Sequence, residues 1–386
     1  MTASRTTPAP RRWTKRLAVL TVSTLVSLFL AEVGCRVAVH FQNRDALEAS
    51  WNRAQTTEYE ERRGGVGLGA LIQLSSNDRI AYELRPNLDG IMFKGKPVTT
   101  NARGFRSDER PSEPADGEVT ILGLGDSIMF GHGLADGEAY LDHLEDFLNE
   151  RHPEKRWRTV NTSVPGYNTV MQVETLARKG LAFRPNLVVL GVCGNDYEPP
   201  NFVREGHDPL DVSRSFFWTF LSSGLETVEQ GESSGGGLVF RQRWGAEQAE
   251  GTALEAPTRY SGLYGKEAFE QACQQLLDMA EEHQFSLLSF AHLTYDEPPC
   301  EHNAAGEMLE WLQAHDVPAL DLQYQIDEVL LETTGRAFNL KDYGQSDLVV
   351  SPSNTHPSAK QHLRIAETLY QQMLDSGEIQ RLIDLP

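Results

Sequence analysis

From Leu17 to Ala31 the chain is apolar and uncharged, through Leu20, Val22, Leu25, Val26, Leu28 and Phe29. The run resumes past Glu32 as Val33-Gly34-Cys35 and past Arg36 as Val37-Ala38-Val39. A bilayer-crossing helix needs about 20 such residues. Residues 17–39 reach that length if Glu32 and Arg36, near one end, snorkel toward water. Residues 40–115 are mixed and polar, and read as a stalk followed by a short β-rich approach to what comes next. Pro111 to Gly117 is rich in turn formers and marks a boundary.

Beyond that boundary, short runs apolar on both faces alternate with stretches apolar on one side. The runs are Val119–Leu124, Trp157–Val160, Asn186–Val192, Phe285–Phe290 and Val317–Leu322. Between and after them the spacing predicts helices over 139–151, 170–179, 269–283, 304–315 and 360–374. Strands buried on both faces and separated by helices form a parallel sheet with helices on each side. Such a sheet places its site outside the carboxyl ends of its strands. The alternation stops between Tyr197 and Tyr264, where Glu198-Pro199-Pro200, the aromatic cluster Phe216-Phe217-Trp218-Phe220 and the glycines of 231–237 occur. A loop this long inside a compact domain reads as a lid or small insert.

Arg11-Arg12-Trp13-Thr14-Lys15-Arg16 precedes the apolar run. A basic flank stays in the cytoplasm, so residues 1–16 are expected as a cytoplasmic tail, 17–39 as a single-pass anchor, and the remainder as exported, periplasmic or extracellular. A cleaved signal peptide begins in the same way, but no small-x-small cleavage site follows. Lipidation of Cys35 is disfavoured because Glu32 stands where a leucine is wanted.

Charge and cysteine content narrow the chemistry. The formal net charge is −20, with no long basic stripe beyond residue 16, which excludes a nucleic-acid partner. Cys35, Cys193, Cys273 and Cys300 form no C-x-x-C pair, so zinc and thioredoxin chemistry are not expected. In an exported domain Cys273 and Cys300 are either a disulfide or two separate buried thiols.

The candidate chemistry follows the strands. After the first comes Gly123-Leu124-Gly125-Asp126-Ser127, a turn into a helix that leaves a serine at the sheet end beside free backbone N–H groups. Ile128 stands where a dinucleotide fingerprint needs its third glycine, so no nucleotide cofactor is expected, nor any other. After the second strand, Gly166 offers a bare N–H; after the third, Asn195 offers a side-chain amide. Two backbone N–H groups and an amide make an oxyanion hole. Just before the last helix, Thr355-His356-Pro357 supplies a base able to reach Ser127.

With that order of residues the chain resembles the SGNH hydrolase superfamily, the GDSL lipase/esterase family, over about residues 117–373. The resemblance implies a domain at 116–386 with an insert at 197–264, folded as a three-layer α/β/α sandwich around a flavodoxin-like parallel sheet of about five strands. It implies Ser127 as nucleophile, Ser127, Gly166 and Asn195 as oxyanion donors, and His356 as base. Two positions depart from the family: Cys193 replaces a glycine, and no aspartate stands three residues before His356, where Ser353 lies. Asp347 is then the candidate third member; otherwise Asn354 or a backbone carbonyl orients His356. The expected activity is cleavage of an acyl or acetyl ester on a small molecule or carbohydrate. An O-acyltransferase acting on an exported polysaccharide, and a non-catalytic binding or scaffold protein, share the same residues.

Overall fold

The computed structural model describes residues 11–56, 65–109, 111, 113–205, 210, 212, 215–223, 239–242, 258–294, 303–336 and 338–386. The chain forms two compact units: residues 1–52 with 204–240, and residues 53–203 with 241–386.

In the larger unit five strands make one parallel sheet: β5 (Glu118–Leu124), β6 (Arg156–Asn161), β7 (Leu187–Val192), β10 (Ser286–Ala291) and β11 (Ala319–Asp321). Their order across the sheet is β11-β10-β7-β5-β6. By position among the five this reads 5-4-3-1-2, the flavodoxin-like arrangement, whose strand order reverses between β5 and β7. Ile121 is opposite Thr159 on one side and Leu187 on the other, so β5 is central and paired along both edges. That accounts for its six consecutive buried residues after Glu118.

Alternate side chains of the strands enter different layers. Val119, Ile121, Trp157, Leu187 and Val189 pack with Leu144 and Leu148 of the helix Tyr140–Arg151 and with Ile365, Leu369 and Met373 of the helix Ala359–Asp375. Leu122, Leu124, Val188 and Leu190 are equally buried on the other side. There the helices Thr169–Thr175, Lys266–His283 and Ala304–Ala314 cover the sheet. Truncating a residue such as Leu144, fully buried between layers, to alanine costs about 2–5 kcal/mol.

The segment expected as stalk and β approach is folded against this unit from Gly65 onward. It contains two antiparallel pairs, β1 (Ile72–Leu74) with β2 (Tyr82–Leu84) and β3 (Ile91–Phe93) with β4 (Lys96–Val98). Arg106 then clasps the turn after the first short helix, donating to the carbonyls of Phe130 (2.6 Å), Gly131 (2.9 Å) and Leu134 (2.7 Å). Near the C-terminus, β12 (Val349–Ser351) and β13 (Asn354–Pro357) form a hairpin where a loop was expected.

Of the 197–264 segment, the structure describes the short strands β8 (Phe202–Glu205) and β9 (Val239–Gln242), the helix Phe216–Ser223, and a 3-10 turn at Thr258–Leu263. The glycines of 231–237 lie outside the described residues. Cys273 is buried as a free thiol, and Cys300 lies outside the described residues.

A long helix runs Arg11–Thr56, most of it within the smaller unit. Its stretch Trp13–Phe41 is long and apolar enough to cross a membrane. Its apolar side chains, such as Leu17 and Phe29, are exposed.

Candidate active site

Three of the expected residues follow the carboxyl ends of adjacent strands. The chain leaves β5 through Gly125, where a Cβ would lie 2.6 Å from that of Met129, so only glycine lets the turn close. Asp126 then caps the helix Ser127–Phe130, its Oδ1 accepting from the Ile128 N–H at 2.9 Å. Ser127 is the first residue of that helix. The end of β6 is tied to the same helix, Asn161 Nδ2 donating to the Met129 carbonyl at 3.0 Å.

Gly166 adopts φ +79° in the segment after β6. A Cβ there would meet Asn201 Nδ2 at 2.0 Å and the Tyr82 hydroxyl at 2.8 Å. Tyr82 in turn donates to the Pro165 carbonyl at 3.0 Å, and Tyr167 donates back to the Tyr82 carbonyl at 2.5 Å. The bare backbone is therefore clamped by the N-terminal extension.

Asn195 lies in the 3-10 turn Gly194–Tyr197 that follows β7. Asp196 holds this turn, accepting from Thr169 Oγ1 (2.7 Å), Gln172 Nε2 (3.1 Å) and the Cys193 N–H (2.6 Å). Burial, with Asp126 nearby, pushes the Asp196 carboxyl up to about 8. The Asn195 Oδ1 is buried with no hydrogen-bond partner among the described residues.

His356 comes from the other end of the chain. Strand β13 carries it to Ser127, with Nε2 2.8 Å from Oγ. Its Nδ1 lies 2.7 Å from Asn354 Oδ1. Asn354 Nδ2 faces the His132 carbonyl at 3.5 Å, which sets the amide with its oxygen toward the imidazole. An amide oxygen only accepts, so Nδ1 carries the proton and Nε2 is left to accept from the serine hydroxyl. Asp126 Oδ2 lies 3.3 Å from the same hydroxyl.

Asp347 is not brought to the imidazole. Its carboxylate binds Lys360 Nζ at 2.6 Å on the exposed side of the helix Ala359–Asp375. The hairpin β12–β13 explains this: the position adjoining His356 Nδ1 is filled from within the strand, by Asn354.

Several residues around His356 had no expected role. His132 stacks on its ring, centroids 4.1 Å apart and planes 23° from parallel. Phe93 meets His132 edge-on at 4.9 Å. Burial, aided by the positive charge of Lys94, pushes His356 down to about 4. Burial also takes His132 down to about 2, with His356 and Lys94 adding to the effect. Phe93 ends β3 and Lys94 begins the turn to β4, a region whose sequence carries no catalytic signature. His132, in contrast, stands close after Ser127 in the same turn-rich stretch, which was the available signal.

A separate cleft of about 650 Å3 is lined by residues including Asn87, Arg106, Asp136, Asp142 and Asn161. It includes none of Ser127, Gly166, Asn195 and His356, and so belongs to different chemistry or none. Among the described residues no cluster of His, Cys, Asp and Glu is arranged to hold a metal ion.

Comparison with solved structures finds similar folds at low identity. An acetyl xylan esterase, AlAXEase, is 11% identical, with 66% of this chain and 99% of that chain covered and a TM-score of 0.39. A catalytic mutant of an acetylxylan esterase from Geobacillus stearothermophilus is 14% identical over 69% of this chain and 95% of its own, with a TM-score of 0.37. A lipase/acylhydrolase from Enterococcus faecalis is 13% identical over 66% and 95%, with a TM-score of 0.36. No curated protein matches the chain. At the level of sequence families, residues 124–364 match the GDSL-like lipase/acylhydrolase family. That match covers well over half of the chain and contains Ser127, Gly166, Asn195 and His356, so the protein belongs to the GDSL-like lipase/acylhydrolase family and is an ester hydrolase.

Proposed function

We propose that this ester hydrolase works through a Ser127 acyl-enzyme, with His356 as general base and Asn354 holding the imidazole. The reading is carried by one observation: an unbroken chain from Asn354 Oδ1 through His356 to Ser127 Oγ, with links of 2.7 and 2.8 Å. Ser127 Oγ attacks the ester carbonyl as its proton passes to Nε2. The oxyanion is received by the N–H groups of Ser127 and Gly166 and the side-chain amide of Asn195. His356 then returns the proton to the departing alcohol, and water repeats the sequence on the acyl-enzyme. The low proton affinity of His356 keeps it neutral, and so competent as a base, well below neutral pH.

The substrate fits best as a short acyl or acetyl ester, free or on a carbohydrate. The apolar helix and its basic flank support a single-pass anchor with the catalytic unit outside the cytoplasm. Hydrolysis of p-nitrophenyl acetate by the purified protein tests the mechanism. Wild type is expected to turn over, and Ser127→Ala and His356→Ala to lose about 10³-fold or more in kcat/KM while remaining folded. Folded wild type that is inert, and that a fluorophosphonate fails to label at Ser127, would overturn it.

A further inference from the structure

Glu32 and Arg36 interrupt the apolar stretch of residues 17–39, and both have partners within the smaller unit. The Glu32 carboxylate accepts from the N–H groups of Phe216 (3.1 Å) and Phe217 (2.9 Å) and from Ser215 Oγ (2.8 Å). These N–H groups open the helix Phe216–Ser223 and have no partner inside it. Ser215 Oγ itself accepts from the Trp218 N–H at 3.1 Å. On its other side Glu32 pairs with Arg36 at 2.8 Å, and that guanidinium lies 4.8 Å from the centre of the Phe216 ring. One carboxylate of the long helix thus caps the short one.

The short helix shows apolar groups outward. Trp218 is 71% exposed, Phe220 67% and Leu221 43%, whereas Phe216 is buried. Its hydroxyls are turned back onto their own backbone, Thr219 Oγ1 donating to the Ser215 carbonyl and Ser222 Oγ to that of Thr219. The long helix treats its hydroxyls in the same way: Thr21 donates to Leu17, and Ser23 and Thr24 to Leu20. These hydroxyls of both helices are therefore satisfied internally, and the apolar side chains face outward, which suits hydrocarbon and not water. At 1.5 Å per residue Glu32 lies about 22 Å along the helix from Leu17, toward the far boundary of a hydrocarbon layer about 30 Å thick. Tryptophan collects at that level, with its ring in lipid and its N–H toward water.

We infer that Phe216–Ser223 is a second membrane-seated element, an interfacial helix lying in the outer boundary of the bilayer with Trp218, Phe220 and Leu221 in lipid and its start capped by Glu32. The occupant of this apolar face is the lipid bilayer. The inference rests on the reading of residues 17–39 as a membrane span and is independent of the catalytic mechanism.

Photocrosslinking separates these readings. The full chain is reconstituted in phosphatidylcholine–phosphatidylglycerol vesicles with p-benzoylphenylalanine in place of Leu25, Trp218, Phe220 or Leu331, the last 60% exposed in the catalytic unit. Lipid adducts at 25, 218 and 220, several-fold above those at 331, are the expected result. Adducts at 25 with 218 and 220 no higher than 331 would overturn the interfacial helix and leave the span standing. Positions 25, 218 and 220 all at the level of 331 would remove both. Glu32→Gln is expected to lower the yield at 218 several-fold with that at 25 unchanged and ester hydrolysis retained; an unaltered yield at 218 would refute the capping role.

Discussion

An amide, not a carboxylate, receives the His356 Nδ1–H, and this sets what the residue can do. Asn354 fixes the tautomer as well as an aspartate would, but it places no negative charge beside the imidazolium formed during reaction. Asn354→Asp should therefore raise kcat/KM at neutral pH by about tenfold, because the geometry is already correct and only charge is added. Asn354→Leu should lower it by about tenfold or more, since the ring loses its orientation. Steady-state kinetics on the two variants checks both. Lys94 acts in the opposite sense to an aspartate, so Lys94→Met should move the acid limb of the pH–rate profile upward from the region of pH 4.

The same histidines carry a stability consequence. His356 and His292 are held near 4 and His132 near 2, each mainly by burial and all below their ordinary 6.5. Between those values and 6.5 the unfolded chain binds more protons than the folded one, so stability is complete above 6.5 and is lost as pH falls toward 4. Replacing His132 by phenylalanine keeps a stacking ring and removes one of these protonation sites. Thermal denaturation from pH 7 to 4 should show a shallower decline for His132→Phe than for wild type.

At the scale of elements, the extension before the sheet helps to shape the site. Tyr82 in β2 holds Pro165, and Phe93 with Lys94 at the β3–β4 turn borders His132. Gly166→Ala tests this clamp: its φ of +79° is strained for any L side chain, and the new methyl would collide with Asn201. If Gly166 donates to the oxyanion as proposed, activity should fall by about 10²-fold or more, with a stability loss of about 1–3 kcal/mol in chemical denaturation. The five strands were legible in the sequence because each is a short run apolar on both faces, and the ends of three of them pointed to Ser127, Gly166 and Asn195, while His356 was read from its place before the helix Ala359–Asp375. The contributions of Tyr82, Phe93 and Lys94 were not legible. They act through tertiary contacts between strands of three residues, too short for any period to show. The exchange of Asp347 for Asn354 next to His356 was only half legible. Distance along the chain does not reveal that β12 and β13 fold back on each other, and Lys360 gave the aspartate a nearer partner.

On the scale of the whole molecule, charge is the dominant asymmetry. With a net charge of −20 the folded chain repels itself, and salt screens that repulsion over about 10 Å at 0.1 M. Raising sodium chloride from low to moderate concentration should increase the melting temperature by a few degrees, measurable by scanning calorimetry, and should also ease the approach of anionic esters.

The distance along the chain between Ser127 and His356 has a bearing on when the protein becomes chemically active. The two residues are 229 positions apart, and the histidine sits on a hairpin that comes after all five sheet strands and before the helix Ala359–Asp375. In the proposed orientation, with the chain threaded outward from its N-terminus, Ser127 crosses the membrane before His356. Under the proposed mechanism Ser127 then has no proton acceptor from β13 until the hairpin has folded. A chain ended after residue 348 would retain all five sheet strands and, if the proposed mechanism holds, should show no ester hydrolysis.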